Sequence, residues 1–290
     1  MLRVSQKLLI LNLLLILVLV GSAWSFKLKF SLEKGSDDIH LRQPFTVFFD
    51  QSNLRLYVAD TGNNRLVSYE LDGTPLKEFD AAGQLRGPIA MIRDDHGNLW
   101  VVERPLNSLT FIDLKAHRLE RHQIVYQGNP VLIDRLIWWA PYLMLLDRTS
   151  GKILALDDNL NIKKVIAPED PNFRGFIDFK IKGDILWGLE NITGRIFTIN
   201  LKNNQEKIIY PRAKIVLPIS IEIDNQENLY ILDRDLKKIF VFDKSGHLRY
   251  SFLKEGFQPG QVRYPWQLLF VKSDLLVVDE GNGRVDVWGH

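Results

Sequence analysis

Short runs of apolar, β-branched and aromatic residues recur along most of the chain, and turn-forming residues separate them. In the clearest unit these runs occupy residues 44–49, 56–59, 65–69 and 75–79. The last two runs are joined through Asp72 and Gly73, a dipeptide that favours a hairpin. Runs of this kind predict β-strands, so each unit predicts four short strands joined by turns.

Six acidic residues mark the repeat of this unit. Each ends a predicted second strand, at intervals of 43 to 46 residues: Asp60, Glu103, Asp147, Glu190, Asp233 and Asp279. In five units a basic residue follows five positions later: Arg65, Lys152, Arg195, Lys238 and Arg284. Ser108 occupies that position in the second unit. Strand-rich repeats of this period are typical of propeller blades, so we predict an all-β, six-bladed β-propeller with four-stranded blades.

The sixth unit contains only three predicted strands, at residues 266–271, 275–279 and 284–288. Residues 26–35 resemble the fourth strand of the fifth unit, and both segments lead into an Arg-x-Pro sequence. We therefore predict that the N-terminal segment pairs with the last blade and closes the ring. Closure would remove the exposed sheet edges that invite aggregation. Residues 26–290 would then form one propeller domain.

The acidic residues and the bases that follow them predict structural loops. A carboxylate at the end of the second strand can accept N–H groups of the loop and pair with the base across it. Six copies around a ring favour a structural role over a catalytic one.

Three segments resemble the NHL repeat, whose usual pattern is Asn-Leu-Tyr-Val-Ala-Asp-x-x-Asn-x-Arg-Ile. They are residues 56–66, 98–103 and 277–285. The resemblance covers residues 26–290 and is weakest in units three and four. It implies a six-bladed propeller, and such propellers serve as receptors, sensors, scaffolds and occasionally lyases.

The N-terminus predicts export. Arg3 and Lys7 precede an apolar run at residues 8–20, and small residues follow it. This arrangement is typical of a secretory signal peptide at residues 1–25, although an uncleaved membrane anchor is the alternative. The chain has no cysteine, which excludes thiol chemistry. We expect a periplasmic or secreted location, with membrane contact only through an uncleaved N-terminus.

The charge balance argues against nucleic acid as a partner. The chain has 37 basic and 35 acidic residues, and two of the basic residues lie in the predicted signal peptide. The remaining domain is near neutral, whereas nucleic-acid binding relies on neutralising phosphates.

The innermost strand of each blade lines the channel of a propeller. Proline begins five of the predicted innermost strands, and Gly175 takes that place in the fourth unit; the prolines are Pro44, Pro88, Pro130, Pro218 and Pro265. Alternation along these strands predicts a first inward-facing layer of Thr46, Ala90, Leu132, Ile177, Ser220 and Gln267. It predicts a second layer of Phe48, Ile92, Asp134, Phe179, Glu222 and Leu269.

Asp134 and Glu222 are the acids among these inward positions. They are candidates for acid–base chemistry or for a metal site, and solvated channel carboxylates are the alternative. No histidine falls on a predicted innermost strand, so we expect neither a histidine-bound axial metal nor a cofactor.

The two faces of the predicted ring differ in composition. Loops between second and third strands emerge together with the blade-to-blade connections on one side, which we call the loop-rich face. Hairpin turns such as the one at Asp72 and Gly73 emerge on the other side, the turn face. The loop-rich face would display Asn63, Asn64, Arg104, Asn107, Arg148, Arg174, Arg212, Arg234, Lys237, Phe257, Tyr264 and Asn282.

Arginine and aromatic side chains are the types that carry interface energy. We therefore expect an unknown protein or small ligand to bind the loop-rich face, without catalysis. Two alternatives stay open: a metal-dependent lyase or lactone hydrolase with an axial site, and a membrane-tethered scaffold of an envelope complex.

Overall fold

The structure is a computed structural model, and it describes residues 26–289. The predicted signal peptide or anchor lies outside the described residues. Within residues 26–289, no helix has the length and apolar character needed to cross a membrane.

The chain forms six four-stranded antiparallel blades, as the sequence predicted. The strands of blades 1 to 3, from inner to outer, are Pro44–Asp50, Arg55–Asp60, Arg65–Tyr69, Pro75–Phe79; Pro88–Arg93, Leu99–Glu103, Ser108–Asp113, Arg118–His122; Ile133–Trp139, Tyr142–Asp147, Lys152–Leu156, Ile162–Ile166. Those of blades 4 to 6 are Phe176–Lys182, Ile185–Glu190, Ile196–Asn200, Glu206–Ile209; Pro218–Ile223, Leu229–Asp233, Lys238–Phe242, Leu248–Phe252; Pro265–Val271, Asp274–Asp279, Arg284–Gly289, Lys27–Leu32.

Short elements complete the fold. Single 3₁₀ turns occupy the loop after the second strand in blades 1, 2 and 6, at Thr61–Asn63, Arg104–Leu106 and Glu280–Asn282. A separate two-stranded hairpin, Val125–Tyr126 with Asn129–Pro130, precedes blade 3.

The closing strand Lys27–Leu32 pairs with Arg284–Gly289, which confirms the predicted closure. Ser31 lies opposite Asp286, and Leu32 lies opposite Val285. The side chain of Leu32 is buried with apolar residues of blades 1 and 6. The closing strand therefore joins the first blade to the last by packing as well as by backbone hydrogen bonds.

The inner strands of blades 3 and 4 are shifted from their predicted register. Ile133, not Pro130, lies opposite Asp147 at the start of the inner strand of blade 3. In blade 4 Phe176, not Gly175, lies opposite Glu190. Pro130 belongs instead to the extra hairpin, so it does not mark the start of a blade. The alternation rule therefore started from the wrong residue in these two blades.

Apolar side chains pack mainly between neighbouring blades. One buried cluster joins Met144 and Ile153 of blade 3 to Phe179 and Phe197 of blade 4. Another joins blades 5 and 6 through residues such as Leu232 and Val277. Each blade thus completes its core only with the blade beside it.

One carboxyl group at the closure should make stability depend on pH. Asp286 is fully buried, and its Oδ1 accepts a hydrogen bond of 2.6 Å from the Ser31 hydroxyl. Burial raises the pKa of Asp286 to about 6. In the unfolded chain this group has its ordinary pKa near 4, so between about pH 4 and pH 6 the folded state binds more protons. Stability should therefore fall as the pH rises through this window.

We expect Asp286→Asn to remove this loss, since the amide cannot ionise. Relative to the wild-type protein, the variant should gain roughly 2 kcal/mol between pH 4 and pH 7. Urea denaturation at a series of pH values measures this gain. Asp274→Asn is the control, because it removes a partly exposed carboxylate that pairs with Lys29 of the same closing strand. Equal pH slopes for wild type and Asp286→Asn would contradict the assignment.

Candidate functional site

The six repeated acids share one contact on the loop-rich face. Each accepts a backbone N–H from the connection that enters its own blade, and each side chain is buried. The donors are Arg42 to Asp60 at 2.7 Å, Arg86 to Glu103 at 2.7 Å, Leu132 to Asp147 at 3.1 Å, Arg174 to Glu190 at 2.7 Å, Val216 to Asp233 at 2.6 Å and Arg263 to Asp279 at 3.1 Å. The acids therefore fix where each inner strand begins.

The predicted ion pair across the loop forms in two blades. Arg65 Nε lies 2.6 Å from an oxygen of Asp60, and Arg195 Nη2 lies 2.7 Å from Glu190. In blade 2, Arg121 of the outer strand binds Glu103 at 2.7 Å in place of the missing base. Burial acts to raise the pKa of Glu103, but hydrogen bonds from Arg121, Thr110 and the Arg86 N–H outweigh it and hold that pKa below its usual range.

The other three expected pairs, Asp147 with Lys152, Asp233 with Lys238 and Asp279 with Arg284, form no ion pair in the part of the chain that the structure describes. The oxygens of these acids are occupied by N–H groups instead. Asp233 accepts from Val216 and Leu217 on one side and from Asp235 and Leu236 on the other.

Arg284 does not bind the acid of its own loop, and its Nε lies instead 3.0 Å from Oδ1 of Asp286 in the same strand. Its guanidinium donates to the backbone carbonyls of Phe257, Gln258 and Gln261 in the connection before blade 6. It supports the connection directly rather than through the acid of its own loop.

The predicted asparagines of the loop-rich face serve the loops themselves. Asn63 and Asn282 each donate to the acid of their own blade and to carbonyls of the preceding connection. Asn64 accepts the Gly87 N–H at 2.7 Å. Asn64 and Asn107 also have positive φ, where asparagine is tolerated better than most residues. The side chains of Asn63, Asn64 and Asn282 are therefore committed to the fold, whereas Asn107 serves its loop through its backbone.

Arginine and aromatic side chains form a layered cluster where the channel meets the loop-rich face. The rings of Phe45 and Trp266 lie 4.4 Å apart. The Arg104 guanidinium lies 4.1 Å from the Phe45 ring, and that of Arg234 lies 4.7 Å from the Trp266 ring and 5.6 Å from Tyr264. We call Phe45, Arg104, Arg234, Tyr264 and Trp266 the cation–aromatic cluster.

Partial burial affects the pKa values of the charged groups in this cluster. Burial lowers the pKa of Arg104, and the neighbouring Arg148 adds to this effect, while Asp134 opposes it. Arg234 also lies 3.1 Å from Glu280, beside a cavity of about 410 Å³ that Arg234, Glu280 and Tyr264 line. The guanidinium groups are held in place by rings and carboxylates, and the Arg104 side chain is still 43% exposed.

The remaining predicted residues are spread around the ring. Arg148 and Arg174 are exposed, and Phe257 is 65% exposed with Arg263 stacked on it. Lys237 lies 5.9 Å from the Tyr264 ring. Arg212 lies apart from these. Its N–H donates to Gly246 O of the outer hairpin turn of blade 5, because the outer end of blade 4 reaches across to that turn.

A layer of mostly polar side chains lies at the channel axis, and the sequence predicted only some of its residues. In blades 2 to 6 it is formed by the inner-strand residue that lies opposite the residue just before the acid, and in blade 1 by Thr46, at the bulge before Val47. The residues are Thr46, Ala90, Arg135, Asp178, Ser220 and Gln267. The next layer toward the turn face is Phe48, Ile92, Ile137, Lys180, Glu222 and Leu269. Blades 1, 2, 5 and 6 match the prediction, whereas blades 3 and 4 present Arg135, Ile137, Asp178 and Lys180 in place of Leu132, Asp134, Ile177 and Phe179.

Charged residues that the prediction missed hold this layer together. Asp178 binds Arg135 Nε at 3.3 Å and accepts from the Ser220 hydroxyl at 2.6 Å. Lys180 lies 3.1 Å from Glu222.

Counting back from the acid could have found Arg135, because Pro130 lies farther from Asp147 than any true inner-strand start lies from its acid. It gives no such signal in blade 4, because Gly175 lies as far from Glu190 as Pro88 lies from Glu103.

The candidate carboxylates Asp134 and Glu222 each have a cation of their own. Asp134 contacts Arg135 at 3.2 Å and Arg104 at 3.7 Å, and Glu222 contacts Lys180. Burial raises the pKa of Glu222, with Lys180 opposing it. Among residues 26–289, no group of three or more His, Cys, Asp or Glu is arranged to hold a metal ion. The geometry is that of an ion-pair network.

No protein-family model and no curated protein matches the chain, so the NHL resemblance stays a prediction. Solved structures do resemble it. Virginiamycin B lyase from Staphylococcus aureus matches with a TM-score of 0.61 at 13% identity, covering 92% of this chain and 100% of that one.

A catalytically inactive variant of that lyase with quinupristin matches with a TM-score of 0.62 at 13% identity, over 85% of this chain and 80% of the other. A streptogramin B lyase gives 0.63 at 13% identity, over 93% and 99%. At this identity the likeness shows the propeller fold alone.

The loop acids generate a prediction about stability. We expect Asp233→Ala to lower the free energy of unfolding by about 1–3 kcal/mol, since it leaves buried N–H groups without an acceptor. Asp233→Lys combined with Lys238→Asp should not recover this loss, because a lysine cannot accept those hydrogen bonds. Chemical denaturation measures both. Lys238→Ala is the matched control and should cost far less; full recovery by the exchange would show that charge pairing is the main effect.

Proposed function

We propose that the protein is an exported, non-catalytic binding propeller whose loop-rich face docks an acidic protein partner. The observation that carries the proposal is the distribution of exposed apolar side chains. Of the fifteen large hydrophobic residues that are exposed among the described residues, eleven lie in blade-to-blade connections or in loops between second and third strands. They are Ile39, Leu106, Val125, Leu132, Ile192, Tyr210, Val216, Leu217, Leu236, Phe257 and Tyr264.

Exposed apolar residues concentrated on one side of a soluble domain are typical of an interaction surface. The hairpin turns of the opposite face, such as the ones at Asp72 and His96, are mostly small and polar. The difference follows from the fold, because a short hairpin turn only reverses the chain, while a connection between blades is long enough to carry residues that contact a partner.

The charge of the loop-rich face favours an acidic partner. Arg104, Arg148 and Arg234 lie around the end of the channel, and Arg263 and Lys237 extend the same sign outward along Tyr264 and Phe257. Guanidinium groups stacked on rings lose little side-chain entropy on binding a carboxylate, since they are already ordered. Complementary charge mainly increases the association rate and the specificity of such a complex.

The ion-pair network supports binding over the metal-dependent lyase or hydrolase alternative. That alternative requires Asp134 and Glu222 to share an ion, whereas each carboxylate already neutralises a cation. The lyase activity of the structural neighbours belongs to those proteins. Export rests on residues 1–25, and N-terminal sequencing of the mature chain would distinguish a cleaved leader from a membrane tether.

The partner surface can be tested by affinity capture from an envelope extract, followed by binding measurements with the purified partner. We expect Arg234→Ala and Phe257→Ala each to weaken binding about fivefold or more, which corresponds to about 1 kcal/mol. Asp72→Ala and His96→Ala on the turn face are the controls and should leave the dissociation constant unchanged. The reverse pattern would place the partner on the turn face and overturn the proposal.

A further inference from the structure

We infer that the turn-face end of the central channel is a binding site for a small organic acid with an apolar body. A cavity of about 760 Å³ opens there between the inner strands. Drug-sized ligands occupy pockets of this size. The inference concerns the face opposite to the proposed partner surface and does not depend on it.

Apolar side chains form the inner wall of this cavity, below a mouth of polar turn residues. The side chains that form it come from the inner strands of blades 1, 2, 3 and 6: Phe48, Ile92, Ile137, Trp138, Leu269 and Phe270. Such walls favour a ligand with an apolar body, because binding removes apolar surface of both the ligand and the walls from water. They also lower the local dielectric, which strengthens any charge interaction at the floor.

The charges at the floor are cations. Arg135 and Lys180 line the cavity, whereas their carboxylate partners Asp178 and Glu222 do not. Burial acts to lower the pKa of Lys180, but the Asp178 and Glu222 carboxylates outweigh it and raise that pKa, so the ammonium group stays charged.

Carboxylates line the cavity only at its mouth, at Asp50, Asp94 and Asp95. Asp50 pairs there with Arg93, and Asp94 accepts hydrogen bonds from its own hairpin. A head group that reaches the floor therefore meets the two cations.

The floor also has hydrogen-bond donors to spare. The Lys180 ammonium has three N–H donors; it contacts Glu222 at 3.1 Å and Leu268 O at 3.4 Å, and Asp178 at 4.0 Å is beyond hydrogen-bonding distance. One donor is left for the cavity.

Gln267 supplies a second donor. Its side chain is only 8% exposed, and its Oε1 accepts the Val47 N–H at 2.7 Å, which fixes the orientation of the amide. The Nε2 group of Gln267 donates to no other described residue. A carboxylate is an acceptor without donors, so it matches a floor that offers ammonium and amide N–H groups and positive charge together.

The test uses two fluorescent probes with the same kind of aromatic body. 8-Anilinonaphthalene-1-sulfonate has an anionic head group, and N-phenyl-1-naphthylamine lacks it. We expect the purified domain to bind the anionic probe with saturation at one molecule per chain. Ile137→Trp, which fills the cavity, should weaken both probes at least tenfold.

Gln267→Glu isolates the head-group contact. The new carboxylate keeps an acceptor for the Val47 N–H but replaces the amide donor by negative charge. It should weaken the anionic probe at least tenfold and the neutral probe by less than twofold. If this variant does not fold, the double variant Lys180→Met with Glu222→Gln replaces it, since it removes both partners of an ion pair. It should likewise weaken the anionic probe at least tenfold and the neutral probe by less than twofold.

Arg234→Ala on the loop-rich face is the control and should leave both probes unchanged. Three outcomes would overturn the inference: no saturable binding of the anionic probe, full binding after Ile137→Trp, or equal losses of the two probes in the head-group variants. A loss of the anionic probe in Arg234→Ala alone would place the site in the cation–aromatic cluster and would equally refute it.

Discussion

The fold depends on a buried carboxylate that binds the backbone of the chain entering its blade. All six blades contain this contact. The connection supplies one or two N–H donors to the carboxylate in each blade, and the side chains that also bind the carboxylate differ from blade to blade. The carboxylate lies at the end of the second strand, and the donor lies just before the inner strand. The bond therefore fixes the start of the inner strand relative to its neighbour. Burying a carboxylate is costly unless several donors solvate it, which explains why each acid is surrounded by N–H groups.

The base that follows each acid gives additional support to the same loop, and another residue can replace it. Arg65 binds the acid of its loop, Arg284 binds carbonyls of the connection, and Arg121 reaches Glu103 from the outer strand. In each of these three blades a basic side chain donates hydrogen bonds that order the loop or the connection, but its position in the blade differs. This explains why a regular spacing of charges does not imply six equal ion pairs.

The sequence predicts the blade number, the strands and the closing strand because these depend on local pattern and on period. It fails for the channel axis in blades 3 and 4, where the inner strand begins three residues and one residue later than predicted. An odd shift moves every side chain to the other side of the strand. The inner strands all carry a bulge after their first residue, as between Ile133 and Arg135. The inward residue lies two positions after the strand start in every blade, so the error comes from taking Pro130 and Gly175 as the starts.

Other contacts of the candidate sites join residues far apart in the sequence, so no local sequence pattern predicts them. The pairing of Arg121 with Glu103 spans two strands, and the orientation of Gln267 is set by Val47, a residue of another blade. Exposure on the loop-rich face was also misjudged for asparagines such as Asn282. Its amide looks free in the sequence but is used by the connection beside it.

Charges are balanced at and around the polar layer of the channel. Asp134, Asp178 and Glu222 pair there with Arg104, Arg135 and Lys180. Breaking one partner of such a buried network is costly, since it leaves a charge without compensation. On the side toward the loop-rich face, the rings of Phe45 and Trp266 pack 4.4 Å apart.

The closing strand also determines how the ring can be lost. Ser31 and Asp286 are in contact although 255 positions separate them, so forming this contact carries a large entropic cost during folding. In an open stack of repeats an end can unravel while the middle persists. A ring has no end: blade 6 supports blade 1 as every other blade supports its neighbour. Damage at any one seam therefore uncovers the apolar faces of two blades at once, so we expect the ring to unfold as a single cooperative unit rather than as six independent ones.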